Sequence, residues 1–247
     1  MKRRHEMIES SAMGRRVHLW AFGHWGAPLL VFPSAAGFAH EWDRQGMVDV
    51  LAPLINGGKL KLYCPESNVS QSWTDRETDP RLRIRHHMAY EQFILHDLVP
   101  AIRRDCNSAD IRIATSGASL GAFYAANFAL KHCEIFHYAL CLSGRYQATY
   151  FTGGFSNTDI YFNNPLAYVA NLENEHLDRV RNNTHLTLVC GQGQWEEGCI
   201  EETQALADLL AAKGIPHYRD IWGYDVSHDW NWWKRQAWLH LQRTFGG

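Results

Sequence analysis

No apolar run in this chain approaches the roughly 18 residues that a membrane-spanning helix requires. Its basic start, Met1-Lys2-Arg3-Arg4-His5-Glu6, is not followed by an apolar segment. Together these absences argue against a bilayer span and against a secretory signal. None of the six cysteines (64, 106, 133, 141, 190 and 199) forms a C-x-x-C pair. Cys64, Cys141 and Cys190 instead lie in or at the end of apolar, strand-like runs, where a buried free thiol is the usual reading. The expectation is a cytoplasmic protein. Charge of one sign is not in excess either. The formal net charge is −2, which gives no reason to expect nucleic acid or an anionic membrane as partner. His86-His87 has no companion cluster of His, Cys or carboxylates, so the pair reads as solvated residues on a polar helix face and not as a metal site. No repeat, low-complexity tract or linker divides the 247 residues. We expect one domain over 1–247.

What is present is a 46% hydrophobic composition, ample for a core, and an ordered series of apolar runs. Met7–Ser10 and Arg16–Phe22 flank a hairpin turn at Ala12-Met13-Gly14. Pro28–Phe32 is apolar throughout, as in a strand buried on both faces. Asp43 to Ile55 has helical spacing, and Leu60–Cys64 is a strand. A polar loop containing Trp73 covers 65–80. A long helix spans Arg81 to Arg104, with Pro100 expected to kink or restart it. Further strands are expected at 111–115, Tyr138–Ser143, Leu186–Cys190 and His217–Trp222. Helices are expected at Ile200–Lys213 and Trp230–Phe245. Residues 145–184 lack periodicity and read as an irregular excursion with one or two short helices, lying over the site. Eight strands with this alternation imply an α/β fold, mostly parallel, with helices on both faces. Sites in such sheets form at the carboxyl ends of strands.

The chemistry centres on Gly117-Ala118-Ser119-Leu120-Gly121, which fits the G-x-S-x-G nucleophile elbow between a β-branched strand and an Ala-rich helix. A serine hydroxyl needs a base, and the base needs an orienting acid. His228 is the only histidine between the last strand and the last helix. The loop after 186–190 offers Glu196 and Glu197. Glu196 is preferred, and Asp225 and Asp229 rank lower. An oxyanion hole needs two backbone N–H groups. Leu120 supplies one. Ala35, or next Ala36, supplies the other from the small-residue loop after the Leu29–Phe32 strand.

On these residues the chain resembles the Putative esterase family of α/β hydrolases, over about 15–245. That group includes S-formylglutathione hydrolases, feruloyl and acetyl xylan esterases, enterochelin esterases and mycolyltransferases. The segment His228-Asp229-Trp230-Asn231-Trp232-Trp233 is similar to the family's H-D-W/F-x-x-W pattern, in which the His is the base. Trp195-Glu196 is similar to the mycolyltransferase arrangement, with the acid directly after a Trp. Pro33-Ser34 departs from the His-Gly or Asp-Gly common after the third strand. The resemblance implies an α/β-hydrolase fold and a serine esterase working through a Ser119–His228–Glu196 triad, with no cofactor and no metal. The resemblance does not imply a substrate; the expected partner is a small-molecule or sugar-linked ester. An acyltransferase with the same triad and a non-catalytic binding protein are the alternatives, and self-association is left open. Trp73, Tyr150, Phe151, Phe155, Tyr161 and Phe162 are candidates to contact an aromatic or sugar group. Trp230 and Trp233, three apart on the last helix, should pack against the sheet.

Overall fold

A computed structural model describes residues 1–247. Eight strands form one sheet: β1 (Arg3–Ser10), β2 (Arg15–Phe22), β3 (Ala27–Phe32), β4 (Leu60–Pro65), β5 (Ile113–Ala118), β6 (Phe136–Leu142), β7 (His185–Cys190) and β8 (His217–Ile221). Their order is β1-β2-β4-β3-β5-β6-β7-β8. The β1–β2 hairpin and the β2–β4 pairing are antiparallel, and every pairing from β4 onward to β8 is parallel. This is the α/β-hydrolase type of sheet expected.

Strand β3 shows why its run is apolar throughout. Leu29 and Val31 enter one core cluster, while Leu30 and Phe32 enter the other, on opposite faces of the sheet. Five longer helices complete the layers: α1 (Pro80–Gln92), α2 (Leu120–Lys131), α3 (Asn174–Asn183), α4 (Cys199–Ala212) and α5 (Trp230–Phe245). Helix α2, rich in alanine, is buried along all but its last residue. Small side chains let it lie close to the sheet.

Two local expectations need correction, and a third is met in a form the sequence did not show. The helix expected over 43–55 is broken into Glu41–Arg44, Met47–Val50 and Ala52–Asn56. Gly46, at φ 73°, makes the first break. Pro53 sits in the first turn of the third piece, where a missing N–H costs nothing. At Pro100 the long helix restarts, as expected, with the proline in the first turn of its last segment. It passes from α1 into a π-helical turn, Phe93–Leu98, before the last segment, Val99–Asp105. The wider turn sits where proline would otherwise orphan the carbonyl of His96. The excursion at 145–184 holds four α-helical pieces and a 3₁₀ turn, not one or two helices.

Candidate active site

Ser119 follows β5 with φ 56° and ψ −121°, a backbone region that side chains rarely occupy. The neighbouring glycines make that turn feasible. A Cβ on Gly117 would lie 2.3 Å from the Gly121 carbonyl carbon, and a Cβ on Gly121 would lie 2.4 Å from the Phe32 oxygen. So the elbow is locked between β3 and α2 by contacts that only hydrogen atoms permit. Ser119 N–H donates to Leu142 O at 2.8 Å, which ties the turn to the end of β6.

The predicted partners meet it. His228 Nε2 lies 3.0 Å from Ser119 Oγ, and His228 Nδ1 lies 3.1 Å from Glu196 Oε2. Glu196 is 1% exposed, whereas Glu197 is exposed to solvent. Only Glu196 therefore reaches the imidazole. The loops carrying Glu196 and His228 are laced together beyond the sheet. Gly193 N–H donates to Val226 O (2.9 Å), and His228 N–H donates to Gln194 O (3.0 Å). Gly191 and Gly193 permit this approach, since a Cβ on either would fall within 2.7 Å of Val226 O. Asp229 is turned away from the imidazole. It caps α5 by accepting from the N–H groups of Asn231 and Trp232. These bonds and that of Ser227 hold its carboxyl below the usual range, although burial opposes them.

Ser143 was not anticipated. It directly follows β6 at φ 51° and is fully buried. Its Oγ donates to Glu196 Oε1 at 2.5 Å and accepts from Trp233 Nε1 at 3.0 Å. Cys190 Sγ, 3.4 Å from Glu196 Oε2, is a third donor to the carboxylate. Trp233 does pack on the sheet, in the cluster of Val31, Ala118 and Leu142, with Trp230 half-buried at its margin. Its indole also meets the His228 ring edge-on, with centroids 4.8 Å apart.

Two backbone N–H groups beside Ser119 have no acceptor in the protein: Leu120, the first residue of α2, and Ala35. Ala35 lines the cleft with Ser119, Leu120 and His228, and Ala36 does not. Ala36 N–H points back to Ser34 Oγ at 3.4 Å. The loop is fixed by Glu41, whose carboxylate accepts from Ser34 N–H (2.7 Å) and Ser34 Oγ (2.6 Å). Burial pushes the Glu41 carboxyl up, against the pull of those bonds. Nothing in the sequence near Ser34 pointed to a glutamate seven residues on.

The cleft has a volume of about 440 Å³. Of the aromatics expected around it, Trp73, Tyr150 and Phe151 line it, with Trp195 at its edge. Tyr161 and Phe162 line a different groove, against α2 and α3, and Phe155 lies under Arg81. The His86-His87 reading is corrected. His87 is completely buried. Its Nδ1 accepts from the Trp73 indole (3.1 Å), so its proton sits on Nε2 and is donated to Asn163 Oδ1 (3.0 Å). Burial holds its pKa down to about 4. Glu196, Cys199 and His228 bring three donor atoms within 4.8 Å of one another. A metal there would have to break the Glu196–His228 bond and deprotonate a thiol that burial pushes up to about 12, so the donor set does not suit an ion.

The family described as Putative esterase matches residues 64–239. The chain belongs to that family. It is by class a serine esterase. No curated protein matches the sequence. Among solved structures the chain is similar to a ferulic acid esterase (TM-score 0.79, 17% identity, covering 99% of this chain and 98% of that one). It is also similar to an S-formylglutathione hydrolase from Agrobacterium tumefaciens (0.75, 12%, 99% and 94%). A third is FphF, a fluorophosphonate-binding serine hydrolase of Staphylococcus aureus (0.68, 15%, 99% and 98%). At these identities the likeness establishes the α/β-hydrolase fold. No helix is long and apolar enough to cross a membrane.

Proposed function

We propose that this esterase hydrolyses carboxylic esters through an acyl-enzyme on Ser119. His228 Nε2 takes the hydroxyl proton as Oγ attacks the ester carbonyl. Glu196 holds the Nδ1–H and stabilises the imidazolium that forms. The N–H groups of Leu120 and Ala35 receive the charge that develops on the carbonyl oxygen. The imidazolium returns the proton to the leaving alcohol, and a water activated by the same imidazole then releases the acid. No cofactor enters these steps. The observation that carries the reading is the unbroken chain Ser119 Oγ–His228–Glu196, with bonds of 3.0 and 3.1 Å, beside two unpaired N–H groups. The Trp73, Tyr150 and Phe151 walls support a small-molecule or sugar-linked ester as substrate. Six unpaired cysteines support a reducing, cytoplasmic setting.

A panel of p-nitrophenyl esters of graded length, with methyl ferulate, acetylated sugars and S-formylglutathione, tests this. Wild type should turn over at least one class, and His228→Ala should lose that turnover while melting like wild type. Turnover that survives in His228→Ala would refute the mechanism.

A further inference from the structure

A second, smaller cavity of about 240 Å³ adjoins the Ser119 cleft and shares Arg76, Tyr150 and Phe151 with it. Its remaining wall includes Arg83 and Thr78. Arg83 is 3% exposed, yet no carboxylate pairs with it. Nε donates to Ser72 O (2.8 Å), and Nη2 donates to Trp73 O (3.1 Å) and Phe151 O (2.6 Å). Only Nη1 is left without an acceptor; it is not among the fully enclosed unpaired atoms, and Arg83 lines the cavity. A buried guanidinium that no anion touches is costly unless something satisfies it. Arg76 is exposed and likewise has no hydrogen-bond or ion-pair partner. The charge of Asp75 acts on Arg83 from nearby, but neither a hydrogen bond nor an ion pair joins them. Asp75 Oδ1 accepts from the N–H groups of Glu77 and Thr78, and Asp79 caps α1 and pairs with Arg81. The acid of the cleft, Glu197, does not line this cavity.

We propose that this cavity is a subsite for an anionic group on the ester substrate, held by Arg76 and by Nη1 of Arg83. Tyr150 and Phe151 stand between it and Ser119, so the anion and the scissile ester would sit on either side of that aromatic wall. Guanidinium forks suit carboxylate, phosphate or sulfate oxygens. The proposal rests on Ser119 being the nucleophile, because it assigns which esters that serine meets.

Two matched pairs of esters test it. p-Nitrophenyl butyrate against mono-p-nitrophenyl succinate places the charge on the acyl side. 4-Ethylphenyl butyrate against 4-(carboxymethyl)phenyl butyrate places it on the alcohol side. In one pair the anionic ester should be preferred in kcat/KM by about tenfold or more. Arg76→Gln should collapse that ratio, and Arg76→Lys should keep part of it. Equal kcat/KM within both pairs would overturn the subsite. A readout without chemistry separates this from the catalytic reading. In Ser119→Ala, succinate or inorganic phosphate should change the fluorescence of Trp73 and Trp195, and Arg76→Gln should abolish the change. If no ester is hydrolysed but this response persists, the subsite stands and the catalytic reading falls. If the response is also absent, the subsite falls.

Discussion

The two sides of the cleft are built differently. Its floor is the carboxyl edge of the sheet, where β3, β5, β7 and β8 end in loops carrying Ala35, Ser119, Glu196 and His228. There the backbone itself makes the fit, through the positive φ of Ser119 and the close approaches at Gly117, Gly121, Gly191 and Gly193. The outer wall is made of side chains from the loop at 65–80, the start of α1 and the excursion at 145–184. Trp73, Phe151 and Arg83 are held there by His87, Asn163 and scattered carbonyl groups. A floor set by backbone contact tolerates almost no variation. A wall set by side-chain contact can be re-lined without moving the floor. On the proposed mechanism, reaction type resides in the floor and substrate choice in the wall.

The sharpest way to break that division is at the floor's acid. Glu196→Gln should lower kcat by about 10⁴-fold, as loss of a triad acid does. Glu197→Gln, one residue away but exposed, should stay close to wild type. Steady-state kinetics on one p-nitrophenyl ester decides it, and the reverse order would move the role to Glu197. Trp233 comes next. Truncating this buried indole should cost roughly 3–5 kcal/mol, seen as a lower melting temperature. Trp233→Phe sharpens the point. It keeps most of the packing but removes the donor to Ser143, so kcat should fall by more than stability does. If Trp233→Phe changes stability and leaves kcat alone, the Ser143 link to Glu196 plays no part in positioning.

The wall is tested by acid. His87 is neutral in the fold, with its pKa held near 4 by burial. Above the ordinary value of about 6.5, folded and unfolded states are both neutral and the residue costs nothing. As pH falls below that, the unfolded chain takes up a proton that the folded chain refuses. Stability should drop by about 3 kcal/mol between pH 6.5 and 4 on this account alone. A second proton would also set an N–H of His87 against the Trp73 indole N–H. Denaturant melts across that range should show the loss. His87→Gln, which can still accept from Trp73, should flatten it. An unchanged slope in the variant would mean that other groups control the acid limb.

The same division explains what the sequence disclosed. The elbow was legible because its demands fall on adjacent residues: two glycines around a serine, a strand before and small residues after. His228 and Glu196 were legible from their loops' positions in strand order, and from the Trp-rich segment behind His228. The supports were not legible. Glu41 holds Ser34, Ser143 and Cys190 hold Glu196, and each such pairing depends on a meeting that local pattern does not encode. His87 was misread because a helix face looks polar in sequence whether water or Trp73 and Asn163 satisfy it. Arg83 was absorbed into a long helix for the same reason. The broken helix over 41–56 was hidden because Met47, Val48, Leu51 and Leu54 keep helical spacing across its breaks.

The central claim is that Ser119 is the attacking atom. Intact-mass spectrometry after exposure to a fluorophosphonate measures it directly. Wild type should gain one phosphonyl group, mapped to the peptide carrying Ser119, and Ser119→Ala should gain none. Labelling that persists in Ser119→Ala, or that maps to another residue, would contradict the account.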